Sequence, residues 1–263
     1  MNSTLRKADD VTTRIVRADD RYARRALERL AAATLETLLN AIDANDSQTG
    51  RHVRRVARNA LVIADALGLD PSACRAVERV ALFHDIGKIH EALFDIVHEK
   101  ARLTPAERRE IATHPARGAE VLAPLRPFYP ELPAGVLAHH EWWNGKGYPR
   151  GLRGEQIPFE SRIVAIADTY DAVTHTRRYR RGSGPASAMQ IIAKGRGTQF
   201  DPDLVDLVML PPIVARFRGS DRLQKARGGT RRAHMPEPAP DVSFRWRSPS
   251  FGSGGVDASR RVD

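Results

Sequence analysis

The sequence predicts an all-α fold, on three observations. Apolar residues recur at helical spacing through most of the chain. Helix-start signals with proline at the first helical position stand ahead of several of those stretches. No run alternates with period two for long enough to support a sheet.

Residues 1–20 are polar without a sustained period and are expected to be flexible. A helix is expected over 21–45, where Leu27, Leu30, Leu35, Leu38, Leu39 and Ile42 fall near helical spacing. The polar stretch NDSQTG (45–50) breaks it. In the next helix Val53, Val56, Ala60, Ile63, Ala64 and Leu67 form an apolar stripe, and Gly68 ends it. His52 lies one turn before Val56, at the edge of that stripe, and can face inward. Asp70-Pro71 reads as N-cap and first residue of a helix that runs into His84-Asp85. Thr104, Pro105 and Glu107 form a capping box. His114-Pro115 starts another helix, through about Ala123.

The proline-rich stretch 124–133 is a connector, and a short helix after it delivers His139 and His140. Residues 144–154 hold four glycines and form a loop. Ser161 to Thr174 reads as a helix with Ile163, Ile166, Ala167 and Tyr170 inward; Asp168 and Asp171, three apart, share one of its sides. Asp201-Pro202 starts a last helix through Leu210. The folded domain is expected over 46–212. Residues 213–263, rich in Arg, Gly, Ser and Pro, are expected to be a disordered basic tail.

That tail carries +6 of the formal net charge of +10, so the basic composition says little about what the folded part binds. No specific nucleic-acid binding is expected from it. A single cysteine, Cys74, rules out a disulfide framework and suits a reducing, cytoplasmic setting. No apolar run approaches the ~20 residues of a membrane span, and the N-terminus lacks the apolar core of a secretory signal.

The chemistry-bearing residues are His52, His84, Asp85, His114, His139, His140 and Asp168. Any one of these histidines alone would ordinarily be a core or surface residue. Together, five imidazoles and two carboxylates with no thiolate favour Fe, Mn, Co, Ni or Zn over Ca or Mg. Seven ligands exceed what one ion can use, which suggests a hydrolase holding at least two. His90, His98, His175 and His234 show no pattern that supports ligation.

The segments HDIGK (84–88), ATHPARG (112–118), HHEWWNGKGYPRGLRGEQIP (139–158), SRIVAIADTYDAVT (161–174), RRYR (177–180) and FDP (200–202) together closely resemble the HD-GYP family of bacterial phosphodiesterases, over about residues 46–210. The resemblance implies a helical bundle of HD type with a Gly-Tyr-Pro loop and a centre of two or three metal ions. It also implies hydrolysis of cyclic di-GMP to linear pGpG or GMP by a hydroxide bridging the ions. Position by position, it implies that His52, His84, Asp85, His114, His139, His140 and Asp168 are the ligands, with Asp85 bridging. It further implies that Lys88 is catalytic, and that Arg177 and Arg180 contact substrate phosphates. Gly147, Tyr148 and Pro149 form the signature loop, whose glycines would allow close backbone approach to a bulky ligand; these three and Asp171 are candidate substrate contacts.

Gln48 stands where members with a third ion carry Glu. An amide is a poor ligand beside a carboxylate, so two ions are expected, Fe or Mn first, with Zn, Co or Ni as alternatives. Asn144, Arg178 and the whole of 90–104 depart from the usual pattern, and that last segment tends to border the pocket. Two other functions therefore stay open: hydrolysis of another nucleotide or cyclic dinucleotide, and a catalytically weak regulator that binds one. Protein contacts through the Gly-Tyr-Pro loop, and a dimer, also stay open.

Overall fold

The computed structural model of the chain describes residues 2–89, 104–175 and 182–227. Among them are ten α-helices and no strand. They are α1 Asn2–Asn45, α2 Ser47–Ala66, α3 Pro71–Phe83, α4 Pro105–Ile111, α5 His114–Leu122, α6 Glu131–Ala138, α7 Phe159–Thr174, α8 Pro185–Lys194, α9 Pro202–Val208 and α10 Pro211–Arg227. Short 3-10 turns occupy Ile86–Ile89, Ala123–Leu125 and Gly154–Gln156.

The expected start and stop signals act as read. The Asp46 carboxylate accepts from Gln48 N and Thr49 N, so the NDSQTG break is a one-residue pause between α1 and α2. Asp70 caps α3 the same way, with Pro71 at its first position. Thr104 and Glu107 close the capping box of α4. Gly68, with φ of 67°, takes the left-handed conformation that ends α2.

α2 is the central element. Its face of Val53, Val56, Ala57, Ala60, Ile63 and Ala64 is buried against α3, α7, α1 and α10. From α7, Ile163, Ile166, Ala167 and Tyr170 point inward as expected, all with no exposed surface. α2 and α7, with the ends of α3 and α6, thereby bring polar residues to one region of the core.

Two boundaries differ from expectation. α1 begins at Asn2 rather than Arg21. No Gly or Pro interrupts residues 2–45, so nothing in the backbone chemistry stops the helix from running back. Leu27 and Leu30, which fall in the expected helical pattern, are 52% and 63% exposed; within residues 20–45 α1 packs on the domain through Ala31, Leu35, Leu38, Leu39 and Ile42. At the other end, α10 extends the folded part past 212. Phe217 has no exposed surface, and its ring meets Tyr170 at 4.7 Å between centroids. One more helix, α8, went unread. Its Pro185 start and its inward Ala188, Met189 and Ile192 are ordinary helix signals in a short stretch.

No helix among the described residues is long and apolar enough to cross a membrane.

Candidate metal centre and active site

Three of the candidate histidines stand at helix ends, where main-chain carbonyls lack helical partners. His84 caps α3 and donates from Nδ1 to Ala81 O at 2.8 Å. His114 opens α5 and donates to Ile111 O at 2.7 Å. His139 caps α6 and donates to Val136 O at 2.6 Å. A carbonyl can only accept, so each ring carries its proton on Nδ1. Each Nε2 then points its lone pair at the centre.

Asp85 sits between two groups of these lone pairs. Its Oδ2 is 3.5 Å from His84 Nε2 and 3.8 Å from His52 Nε2. Its Oδ1 is 3.3 Å from His114 Nε2 and 4.0 Å from His139 Nε2. Ligand atoms of His52, His84 and Asp85 all lie within 4.8 Å of one another, and so do those of His114, His139 and His140. Asp168 Oδ1 joins the first group, 3.3 Å from His52 Nε2.

The donor set fits divalent transition metals. His52 Nε2, His84 Nε2 and Asp85 Oδ1 are buried without hydrogen-bond partners, and orphaned buried polar atoms are costly unless something satisfies them. His114 Nε2 and His139 Nε2 face each other at 3.1 Å. Two lone pairs at that distance repel, and a cation between or beside them removes the repulsion.

Protonation follows the same geometry. Burial pushes the His139 imidazole well below its ordinary range and the His140 imidazole to about 3, keeping both neutral and able to ligate. Burial also opposes charge on Asp85, yet Lys88, His84 and His114 hold its carboxyl well below the usual range. His52 is the exception. Burial again lowers it, but Asp168 and Asp171 outweigh that and raise it to about 9.

Lys88 lies on the 3-10 turn after the doublet, with Nζ 2.7 Å from Asp85 Oδ2 and about a quarter of its side chain exposed. It is therefore beside the centre and open to what enters it. The glycine of HDIGK has a packing reason: a Cβ on Gly87 would stand 2.1 Å from His114 O and 2.7 Å from Gly118 N. That bare backbone lets the turn seat against α5.

Tyr148 lies over the centre, its ring stacked on His140 at 4.9 Å and 29°. Tyr148 N donates to His140 O at 3.2 Å. Pro149, behind a cis peptide, is exposed at the loop surface. Gly147 does not open space for a ligand. A Cβ there would meet Trp142 N at 2.2 Å, and Glu141 Cα and His140 O at 2.5 Å, so this glycine lets the loop fold back on its own His-His-Glu stretch. Glu141, buried, pins the same loop by accepting from Arg150 N at 2.7 Å and Leu152 N at 3.0 Å. Gly147→Ala is expected to lower stability by about 1–3 kcal/mol, the usual range for overpacking against atoms that cannot move. Denaturant melts with and without metal check this.

Asp171, expected at the substrate, is placed elsewhere. It is 1% exposed and stands behind His52, engaged by His52, Arg55 and His175. The i, i+3 pairing with Asp168 put both carboxylates on one side of α7. It could not show that α2 covers the second one. Arg55, His175 and Glu141 are the site residues that sequence reasoning did not assign. His84-Asp85, His114 and His139-His140 come together as expected, with His52 and Asp168. Arg177 and Arg180, the segment 90–103, and residues 228–263 lie outside the described residues.

An all-helical domain with two histidine groups about one shared Asp defines a candidate binuclear centre of HD type, and comparison with known proteins agrees. A family profile described as HD domain matches residues 36–204. The chain belongs to the HD domain family, in its HD-GYP branch. It is 37% identical over 185 residues to the cyclic di-GMP phosphodiesterase response regulator RpfG of Xanthomonas campestris, covering 70% of this chain and 48% of that protein. It is 33% identical to a cyclic di-GMP phosphodiesterase of Thermotoga maritima, covering 79% and 57%. It is also 33% identical to the 3'3'-cGAMP-specific phosphodiesterase 2 of Vibrio cholerae, covering 65% and 33%. The chain thus spans between about a third and a little over half of these relatives' lengths. In fold it is similar to an HDG"Y"P protein from Bdellovibrio bacteriovorus, with a TM-score of 0.53 at 19% identity over 75% of this chain and 62% of that one. A crystal structure of V-cGAP3, a cyclic GMP-AMP-specific phosphodiesterase of V. cholerae, gives 0.52 at 24%, over 74% and 52%.

Proposed function

We propose that this chain is a metal-dependent phosphodiesterase that hydrolyses cyclic di-GMP to linear pGpG or GMP in the cytoplasm. The observation that carries the reading is Asp85, whose two oxygens face two separate groups of histidine lone pairs, with the Lys88 ammonium at its side. His52, His84, Asp85 and Asp168 would hold one divalent ion, and Asp85, His114, His139 and His140 the other. Imidazole and carboxylate without thiolate favour Fe or Mn, with Zn, Co and Ni as alternatives. A bound pair supplies positive charge to the phosphate and Lewis acidity toward water.

The chain's own residues do the rest. Phosphodiester hydrolysis builds negative charge on the leaving ribose oxygen. Lys88 is placed to meet it with a cation, half-buried beside Asp85 and open to the substrate. Tyr148, stacked on His140, roofs the centre and offers a flat face to a nucleobase or ribose. Arg177 and Arg180 are proposed to grip the phosphates. Asp171 has no substrate role in this reading.

Lys88→Ala is expected to lower kcat by on the order of 10²–10³ with a modest change in KM, because its charge is needed most in the transition state. Steady-state kinetics decides: a change confined to KM would make Lys88 a binding residue.

A second substrate, 3'3'-cGAMP, is favoured by the relative of V. cholerae named for it. Product analysis by mass after incubation of the metal-loaded chain with cyclic di-GMP, 3'3'-cGAMP and cyclic di-AMP separates these readings. Cyclic di-GMP should be consumed with the highest kcat/KM. A clear preference for 3'3'-cGAMP would replace the substrate and keep the chemistry. Binding of cyclic di-GMP without any product would favour the regulator.

A further inference from the structure

His52 is held differently from the other histidines of the centre. His84, His114 and His139 use carbonyls freed at helix ends. His52 lies within α2, where the carbonyls of the preceding turn accept helical hydrogen bonds, so its ring needs a partner from another element. Asp171 of α7 provides it, with Oδ2 2.6 Å from His52 Nδ1. That carboxylate is itself buried and must be aimed by protein. Arg55, one turn past His52 on α2, holds it in a fork, Nε to Oδ1 at 2.5 Å and Nη2 to Oδ2 at 2.9 Å. His175 Nδ1, 3.1 Å from Oδ1, closes the other side. One turn before Asp171 on the same helix, Asp168 meets the opposite ring nitrogen of His52.

We infer that Arg55 is a positioning residue for the metal position formed by His52, His84, Asp85 and Asp168. Its guanidinium is bound to Asp171 rather than to a candidate ligand, and it acts through that carboxylate. The fork fixes both carboxylate oxygens, Oδ2 fixes the plane and tautomer of the His52 ring, and the ring aims Nε2 at the centre. The same fork ties α2 to α7, setting the distance between His52 and Asp168. Partners behind a ligating histidine commonly tune metal affinity 10–100-fold. In the other position His114 and His139 are held by carbonyls and His140 lies against Tyr148, so that position should not feel Arg55.

The inference rests on the two-ion reading, and the test keeps the two apart. Co²⁺ is titrated into the full chain against a competing chelator, following its visible absorption. Wild type should take up two ions. Arg55→Met should weaken one of them by about 10–100-fold and alter its spectrum, leaving the other unchanged. Asp171→Asn should weaken the same one. The double variant should be no weaker than the more affected single variant, because Arg55 works through Asp171. Arg55→Lys keeps the charge and loses the fork. It should weaken the same ion less, and it carries the test if Arg55→Met does not fold. Unchanged binding in both Arg55 variants, equal weakening of both ions, or additive effects in the double variant would each overturn the inference. A wild-type chain that takes up no Co²⁺ would overturn the two-ion reading itself.

Discussion

Asp85→Ala is expected to empty the centre of both ions at once and to reduce turnover by on the order of 10³ or more, beyond the scale of losing one transition-state charge group. The reason lies in how its oxygens are shared. Oδ2 stands with His52 and His84, and Oδ1 with His114 and His139, so this one side chain faces both groups. His52→Ala removes one ligand from one group and should mainly weaken one ion. Elemental analysis of the two purified variants makes the comparison. Retention of one full ion in Asp85→Ala would mean that Asp85 ligates on one side only.

The second large effect concerns the end of the fold. Truncation after Leu210 would remove α10 and expose the pocket that Phe217 fills against Tyr170. Emptying a fully buried aromatic site costs about 3–5 kcal/mol, a large share of a domain's net stability of ~5–15 kcal/mol. The truncated chain is expected to be largely unfolded or strongly destabilised, and Phe217→Ala to show most of that loss in a denaturant melt. Truncation after Arg227 should leave turnover within a few-fold, since the sequence beyond it is polar and rich in Gly, Ser and Pro. Equal stability of the two truncations would show that α10 adds little.

This second case shows where the sequence stopped being legible. Features written in adjacent residues were readable: the Asp70-Pro71 and Thr104–Glu107 helix starts, the Gly68 stop, the doublet at 84–85 and the pair at 139–140. Each rests on backbone chemistry within one or two turns. Residues 213–227 read as tail because, up to Gly219, only Ile213 and Phe217 are buried, beside Arg216 and Arg218, which are exposed. One buried aromatic decides the boundary, and its partner Tyr170 lies 47 residues away. Asp171 was misplaced for a related reason. Helical spacing gave its side of α7 but not what covers that side, and the Arg55 fork comes from a helix 116 residues earlier. The Gly147 reading erred toward the ligand for want of the backbone it packs on. The candidate metal ligands were less exposed to this limit, because their chemistry is unusual and their order along the chain resembles that of the HD-GYP family, which needs no contacts to be read.

The most direct test is one experiment with two readouts on the same sample. The full chain, prepared anaerobically and loaded with Fe²⁺ or Mn²⁺, is measured for ions per chain and for cyclic di-GMP consumed as metal is withdrawn by a chelator and returned. The proposed function requires about two ions per chain at full activity. Activity should fall as the ions leave and recover when they are restored, with linear pGpG or GMP as the only new species. Full turnover with less than one ion per chain, or two ions held with no hydrolysis of any cyclic dinucleotide, would contradict it.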